Sequence, residues 1–506
     1  MSRFLVSHRL AGSAEKEASR ESLEKIAGHL AANTDIRSDY QPGSPSKRRI
    51  LSVDANPVDL QKMHKEWGPD TLVEPEVPRD RAWSYPGDIE TTVALQGTEP
   101  LFPGLGAGLN VTVEGSEKSL EGAELTLVLA STGGRNSGTN LKALTDSEGH
   151  AELLYNPALW TPVGLIVEPK SGFWGRWLTR LAPELNIPVE PLPKSGPLGW
   201  WHQVIGTVVP SSHRGEGIRI GVVDTGVGPH PYLDHVKGAG AFTNGALDST
   251  ADAHIDVDEH GTHVCGIIGA RPTQGSDDFG GIAQAAEVTC MRVFSKGRGA
   301  SQGDVAAAIE TLSTEHDVHL INLSLGSNVP SVIEQDAIRA AADEGTICVA
   351  AAGNGFSQLV NYPAAYPETV AVGALGYMGA SPAGTLASRA IPGDPARLDP
   401  VGLFVANFSN SGAELDCSAP GVGIISTVPA RAEVAAPYAE SSGTSMAAPM
   451  VCAALATLLS QDKNYRKLER GVGRAQRASL VLAATLRSLN LSPLLVGRGI
   501  CQSWPT

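Results

Sequence analysis

The hydrophobic pattern changes character near residue 200. Before it, apolar positions come in short runs. Leu125, Leu127 and Leu129 alternate with their neighbours, and Thr145-Asp146-Ser147-Glu148-Gly149-His150-Ala151-Glu152-Leu153 is a turn leading into another strand. Short alternating strands with glycine-rich turns predict a β-sandwich over 91–170. Upstream, Ile50-Leu51-Ser52-Val53 reads as a strand and Asn56 through Trp67 as a helix, capped at Asn56 with Pro57 in its first position. Leu72 to Pro78 reads as extended, which completes a small α+β unit over 49–90. Residues 1–48 read as loosely structured apart from an amphipathic helix over 15–32, and Gln41 to Arg49 reads as a basic, turn-rich linker. Phe173-Trp174-Gly175-Arg176-Trp177, Trp200-Trp201 and five prolines mark 171–199 as a Trp/Pro-rich linker whose aromatic rings anchor one domain on another.

After residue 200 the apolar runs become continuous. Ile218-Arg219-Ile220-Gly221-Val222-Val223 reads as a buried parallel strand, and Val349-Ala350-Ala351-Ala352 as another running into glycines. The segments after Thr262 and after Met446 read as tightly packed helices of small residues. Asp224 closes the first strand, at the edge where open α/β sheets place ligands. His260 precedes Gly261, and Ser445 heads the second small-residue helix. A hydroxyl nucleophile needs a base, and the base needs a third group to hold its tautomer. Asp224, His260 and Ser445 fill those roles. Each has a plainer reading alone: a turn-capping Asp, a structural His, a Ser N-cap. His263 reads as a buried structural histidine, since no zinc-site spacing accompanies the two histidines. Asn354, among glycines, can donate to an oxyanion.

The blocks Val223-Asp224-Thr225-Gly226, His260-Gly261-Thr262-His263-Val264 and Gly443-Thr444-Ser445-Met446-Ala447-Ala448-Pro449 together resemble the subtilisin-like serine proteases, the subtilase family S8. Ile321-Asn322-Leu323-Ser324-Leu325-Gly326 resembles the family's cleft strand, and Asn361-Tyr362-Pro363-Ala364 the base of its S1 pocket, where the bond before the proline is often cis. The sedolisin-type peptidases share Ser442-Gly443-Thr444-Ser445, but use Glu for His and Asp for Asn, so His260 and Asn354 favour the subtilisin side. The resemblance implies an α/β, parallel-sheet catalytic domain over 200–506. It implies Asp224, His260 and Ser445 as the triad of a serine endopeptidase acting through an acyl-enzyme. Asn354 and the Ser445 N–H would form the oxyanion hole. Ser324, Leu325, Gly326, Ala352, Gly353 and Asn361 would bind a protein or peptide substrate, and Asn361 in S1 predicts small or medium P1 residues. The 49–90 unit resembles a subtilase propeptide, an intramolecular inhibitor, and the 91–170 unit resembles transthyretin-like modules. The alternative is a latent or non-catalytic protease-like binding protein.

The formal net charge of −15 disfavours nucleic acid as a partner. All six cysteines lie after residue 200, widely spaced in apolar runs, as suits buried free thiols. The resemblance implies no cofactor for catalysis. It leaves a structural calcium open without placing its ligands; Asp252, Asp256, Asp258, Asp277 and Asp278 read as solvated loop charge. Met1 to Arg9 lacks the apolar core of a secretory signal, and no run reaches a membrane span, so a cytoplasmic enzyme is expected, with non-classical export as an exception.

Overall fold

The computed structural model describes residues 2–10, 16–42, 48–68, 70–81, 107–116, 118–133, 138–208, 211–432 and 434–503. The sheet of the largest domain runs, in order, Ala246–Asp248, Lys237–Thr243, Glu287–Arg292, Arg219–Asp224, Leu320–Leu323, Ile347–Ala351, Thr369–Tyr377 and Leu403–Val405, with Cys417–Pro420 also on Thr369–Tyr377. Its interior pairings are parallel and its edge strands Ala246–Asp248 and Leu403–Val405 antiparallel. Side chains alternate between two faces. Ile220 and Val222 pack with the helices His260–Gly269 and Thr444–Gln461, whereas Val223, Ile321 and Leu323 pack with Gln302–Thr314 and Val332–Asp343. This is a mixed α/β domain with helices on both faces. Thr444–Gln461 is long and apolar enough to cross a membrane, against the expectation from sequence; here it is almost wholly buried in the core, which accounts for its composition. All six cysteines are buried and free.

Residues 1–48 are more ordered than the sequence suggests. Ser2–His8, Lys16–Asn33, Asp35–Tyr40, Ile50–Ala55, Pro57–His64 and Thr71–Pro75 follow one another as β-α-β-β-α-β. Ser2–His8 lies inside the four-stranded sheet, antiparallel to both Ile50–Ala55 and Thr71–Pro75. Such pairing between distant segments leaves no local signal, so the sequence does not mark Ser2–His8 as a strand. One face of the sheet, with Val6, Leu51 and Val53, packs against the unit's own helices. The other, with Leu5, Ile50 and Leu72, packs onto the largest domain.

The second unit is a sandwich of two sheets, Arg176–Leu178, Trp160–Glu168, Glu124–Ser131, Gly138–Leu144 and Glu184–Pro188, Ala107–Glu114, His150–Tyr155. Part of the expected linker therefore belongs to it. Glu184–Pro188 was hidden by its proline, which an edge strand tolerates, and Ile187 and Val189 lie in the sandwich core. Positions 82–106, counted in the first two units, lie outside the described residues.

Candidate active site

Asp224 ends its strand with its carboxylate buried, and His260 opens a helix whose residues are all buried. His260 Nδ1 lies 2.7 Å from Asp224 Oδ1. Two glycines permit this approach. Gly226 has φ +114°, and a Cβ on Gly261 would stand 2.1 Å from the Gly226 oxygen. Glu259, just before His260, takes the left-handed φ of 82° without being glycine, a conformation that side chains resist.

Asp256 ties the two blocks together, a role its sequence position does not reveal. It accepts hydrogen bonds from Thr225 Oγ1 at 2.8 Å, Thr262 N at 2.8 Å, Asp258 N at 2.9 Å and Glu259 N at 3.0 Å. Thr225 Oγ1 in turn accepts from Gly261 N at 2.8 Å. Burial pushes the Asp256 carboxyl above its usual range, and its hydroxyl and amide donors oppose that. It is therefore not solvated loop charge. Asp258 pairs with Arg81, and Asp278 accepts from Tyr232 Oη at 2.7 Å. Among the described residues no group of three or more His, Cys, Asp or Glu converges as metal ligands. His263 packs beneath the site with Nε2 3.2 Å from both the Ile424 and Ala439 carbonyls, and burial lowers its pKa to about 3, so it is neutral.

Ser445 is the second residue of the helix Thr444–Gln461, so its N–H has no intrahelical acceptor. A proline four residues on has a consequence here. Pro449 has no N–H to offer the Ser445 carbonyl, and that carbonyl accepts instead from Ser324 Oγ at 2.8 Å. Ser445 Oγ donates to the Ser324 carbonyl at 3.0 Å. The two serines are thus clasped twice, which fixes the hydroxyl against the start of Leu325–Gly326. Asn354 Oδ1 accepts from Thr444 N at 3.0 Å and Thr444 Oγ1 at 2.9 Å. Its amide sits beside the helix N-terminus with the nitrogen end turned away from Thr444. Gly353 has φ +100°, and a Cβ there would meet Asn410 and Asn361. Asn361 N donates to the Ala352 carbonyl at 2.9 Å, Asn410 Nδ2 donates to Asn361 Oδ1 at 3.3 Å, and the Tyr362–Pro363 bond is cis. Asp224 and His260 thus form one hydrogen-bonded pair, and Ser445, Ser324, Asn354 and Gly353 are linked as a second group through Thr444, at the C-terminal ends of the parallel strands.

A strand from the N-terminal unit lies in this site. Pro78–Arg81 pairs antiparallel with Ala300–Ser301 on one side and Leu325–Gly326 on the other. Arg79 is fully buried, with Nε 3.1 Å from Glu334 Oε1 and Nη2 3.0 Å from Glu334 Oε2. Glu334 carried no signal in the sequence and Asp258 read there only as solvated loop charge, because their roles depend on what lies across the cleft.

An α/β domain with a buried carboxylate–imidazole pair and a hydroxyl at a helix N-terminus is a serine hydrolase by class. A family model described as the Subtilase family matches residues 215–499, more than half of the chain. The chain belongs to that family and is a subtilisin-like serine endopeptidase, whose substrates are proteins or peptides and whose chemistry needs no cofactor. Subtilisin Savinase from Lederbergia lenta is 32% identical over 264 residues, covering 51% of this chain and 84% of that protein. The crystal structure of fervidolysin from Fervidobacterium pennivorans, a keratinolytic enzyme related to subtilisin, has the same fold with a TM-score of 0.58 and 20% identity. That likeness covers 99% of this chain and 60% of the fervidolysin chain. The Minor extracellular protease Epr from Bacillus subtilis (strain 168) is 33% identical over 251 residues, covering 49% of this chain and 33% of that protein. The Epr relative is named as extracellular, and this finding overturns the cytoplasmic location expected from the sequence.

Proposed function

We propose that Asp224, His260 and Ser445 form the triad of this endopeptidase, and that the N-terminal unit holds the triad latent by laying Pro78–Arg81 in its cleft. The observation that carries the second half is the pairing of that strand with Leu325–Gly326. Adding a strand to a sheet edge is how an extended peptide is recognised, so the same edge serves substrate once Pro78–Arg81 leaves.

The geometry supports the following course. Ser445 Oγ gives up its bond to the Ser324 carbonyl, attacks the carbonyl carbon of the bound peptide and passes its proton to His260 Nε2. Asp224, 2.7 Å from Nδ1, keeps the proton on that nitrogen and stabilises the imidazolium. The oxyanion receives the Ser445 N–H, at the positive end of the helix Thr444–Gln461, and Asn354 Nδ2, the donor end of an amide whose oxygen is engaged by Thr444. His260 then protonates the leaving amine, and water attacks the ester in the reverse sense. Ala352, Gly353 and Asn361 line the S1 floor; the Asn361 side chain shortens it, which favours small or medium P1 residues.

Ser445→Ala should abolish hydrolysis and labelling by a fluorophosphonate, a loss of about 10⁶ in turnover by analogy with subtilisin. Asn354→Ala should lower turnover about 10²–10³-fold. Both are read by active-site labelling and peptide hydrolysis beside a circular-dichroism check of the fold; labelling that persists in Ser445→Ala would sink the assignment. For latency, the intact chain should label more slowly than the same chain after limited proteolysis between the N-terminal unit and the sandwich.

A further inference from the structure

The strand in the cleft also shows which side chains the cleft is built to receive. Pro78–Arg81 runs antiparallel to Leu325–Gly326, with Asp80 opposite Gly326 and Arg81 opposite Leu325. One step further in this register, a bound chain meets Ser324, whose carbonyl accepts from Ser445 Oγ. A substrate in this register therefore places its P1 residue against Ser324. Arg81 then stands at P2, Asp80 at P3 and Arg79 at P4.

Arg79 enters a closed pocket. Neither its side chain nor that of Glu334 is exposed, and they pair through two near-parallel hydrogen bonds. Glu334 belongs to the catalytic domain, in the first turn of the helix Val332–Asp343, and Tyr366 Oη donates to it at 3.4 Å. It stays in place whichever chain fills the cleft. Arg81 meets Asp258, also in the catalytic domain, with both side chains about one-third exposed at 32% and 27%.

We propose that this endopeptidase selects substrates with arginine at P4, held by Glu334, and more weakly a basic residue at P2, held by Asp258. This rests on the reading of Pro78–Arg81 as an occupant of the substrate cleft. A carboxylate sealed in a pocket is left without a countercharge by an apolar P4 residue, and that penalty operates against every wrong substrate. The planar fork of guanidinium matches the two carboxylate oxygens, so lysine at P4 is a poorer fit. The partly exposed Asp258 pair discriminates less, because solvent screens it. The formal net charge of −15 adds a long-range pull on cationic peptides.

The test uses the full chain after limited proteolysis between the N-terminal unit and the sandwich, with the active sites of an aliquot counted by fluorophosphonate, and internally quenched peptides built on Arg-Asp-Arg-Ala. Replacing the P4 arginine by leucine should lower kcat/KM about 10²–10³-fold, and lysine there should fall between the two. Replacing the P2 arginine by alanine should lower it less than about 10-fold. Glu334→Gln should bring the arginine-to-leucine ratio at P4 close to unity. Because the ratio is taken within one preparation, a change in the amount of active enzyme does not mimic it. If that variant fails to fold, the wild-type peptide series alone decides. Equal cleavage of the arginine and leucine peptides, or cleavage of neither by a preparation of which a separate aliquot labels at Ser445, overturns the selectivity. A chain whose Ser445 is never labelled overturns instead the catalytic reading on which it rests.

Discussion

Two units precede the catalytic domain, and they are attached to it in opposite ways. The sandwich docks through aromatic rings and backbone. Trp174 is buried in the catalytic core, the Arg389 guanidinium lies 4.3 Å over the Trp177 ring, and Leu386 N donates to the Gly175 carbonyl at 2.9 Å. The N-terminal unit adds to its apolar face a set of buried charges. Arg48 donates to Glu310 Oε1 at 2.7 Å and to Asp336 Oδ2 at 2.6 Å, with its side chain fully enclosed. Glu74 accepts from Val332 N at 2.6 Å at the start of the helix Val332–Asp343, and Arg79 meets Glu334. An aromatic interface has the same reason to persist whatever happens at the cleft. An interface of buried charges is specific, yet each ion regains its hydration when the units part, so the net hold is modest for the area covered. The second arrangement is the one that fits the removable guard proposed above.

Three substitutions sharpen or break this contrast. Arg48→Ala leaves Glu310 and Asp336 as buried carboxylates facing one another, a cost of about 3–5 kcal/mol while the unit stays docked. The full-length variant should therefore be labelled at Ser445 on the order of 100-fold faster than wild type, in a time course of fluorophosphonate incorporation. Trp174→Ala opens a cavity in the catalytic core and should lower unfolding stability by about 3–5 kcal/mol in a denaturant titration. Its labelling rate should remain that of wild type; a rate raised as far as in Arg48→Ala would show that both units guard the cleft.

The smallest effect concerns pH. Asp304 lies beneath the N-terminal unit and accepts from Gly245 N at 2.8 Å. Burial, with Glu76 adding to it, raises its pKa to about 7, against backbone donors that lower it. Its folded value thus exceeds its unfolded one. The protonated group favours the fold, fully so below about pH 4, and that contribution is lost as pH rises through 7. Asp304→Asn, which keeps the acceptor oxygen, should lose about 1–3 kcal/mol less stability between pH 5 and pH 8 than wild type, measured as the shift in denaturation midpoint.

The catalytic half was the more legible in the sequence because its signals are local. A buried strand ending in Asp224, a glycine after His260 and a helix headed by Ser445 each leave a mark within a few residues. The helix Pro57–His64 was legible for the same reason, since Asn56 caps it through a bond to Val58 N at 2.9 Å. Ser2–His8 was not, because its partners lie far along the chain, and Glu184–Pro188 was not, because its proline argues against a strand until its edge position is known.

The sequence by itself determined the class of enzyme and named the residues proposed for its chemistry, since nucleophile, base, orienting carboxylate and oxyanion donor must each be a particular residue type in a particular backbone setting. Only the tertiary structure decided what surrounds them. Pro449 is the last residue of a motif in the sequence, and only the structure shows that the Ser445 carbonyl it leaves open takes the Ser324 hydroxyl. Asp256 reads as a loop charge until it is seen holding the Asp224 and His260 blocks together. Glu334 is one acid among many until Arg79 is found against it. Burial and pairing across long sequence separations fix the roles of these residues, and those arise only when the chain has closed on itself.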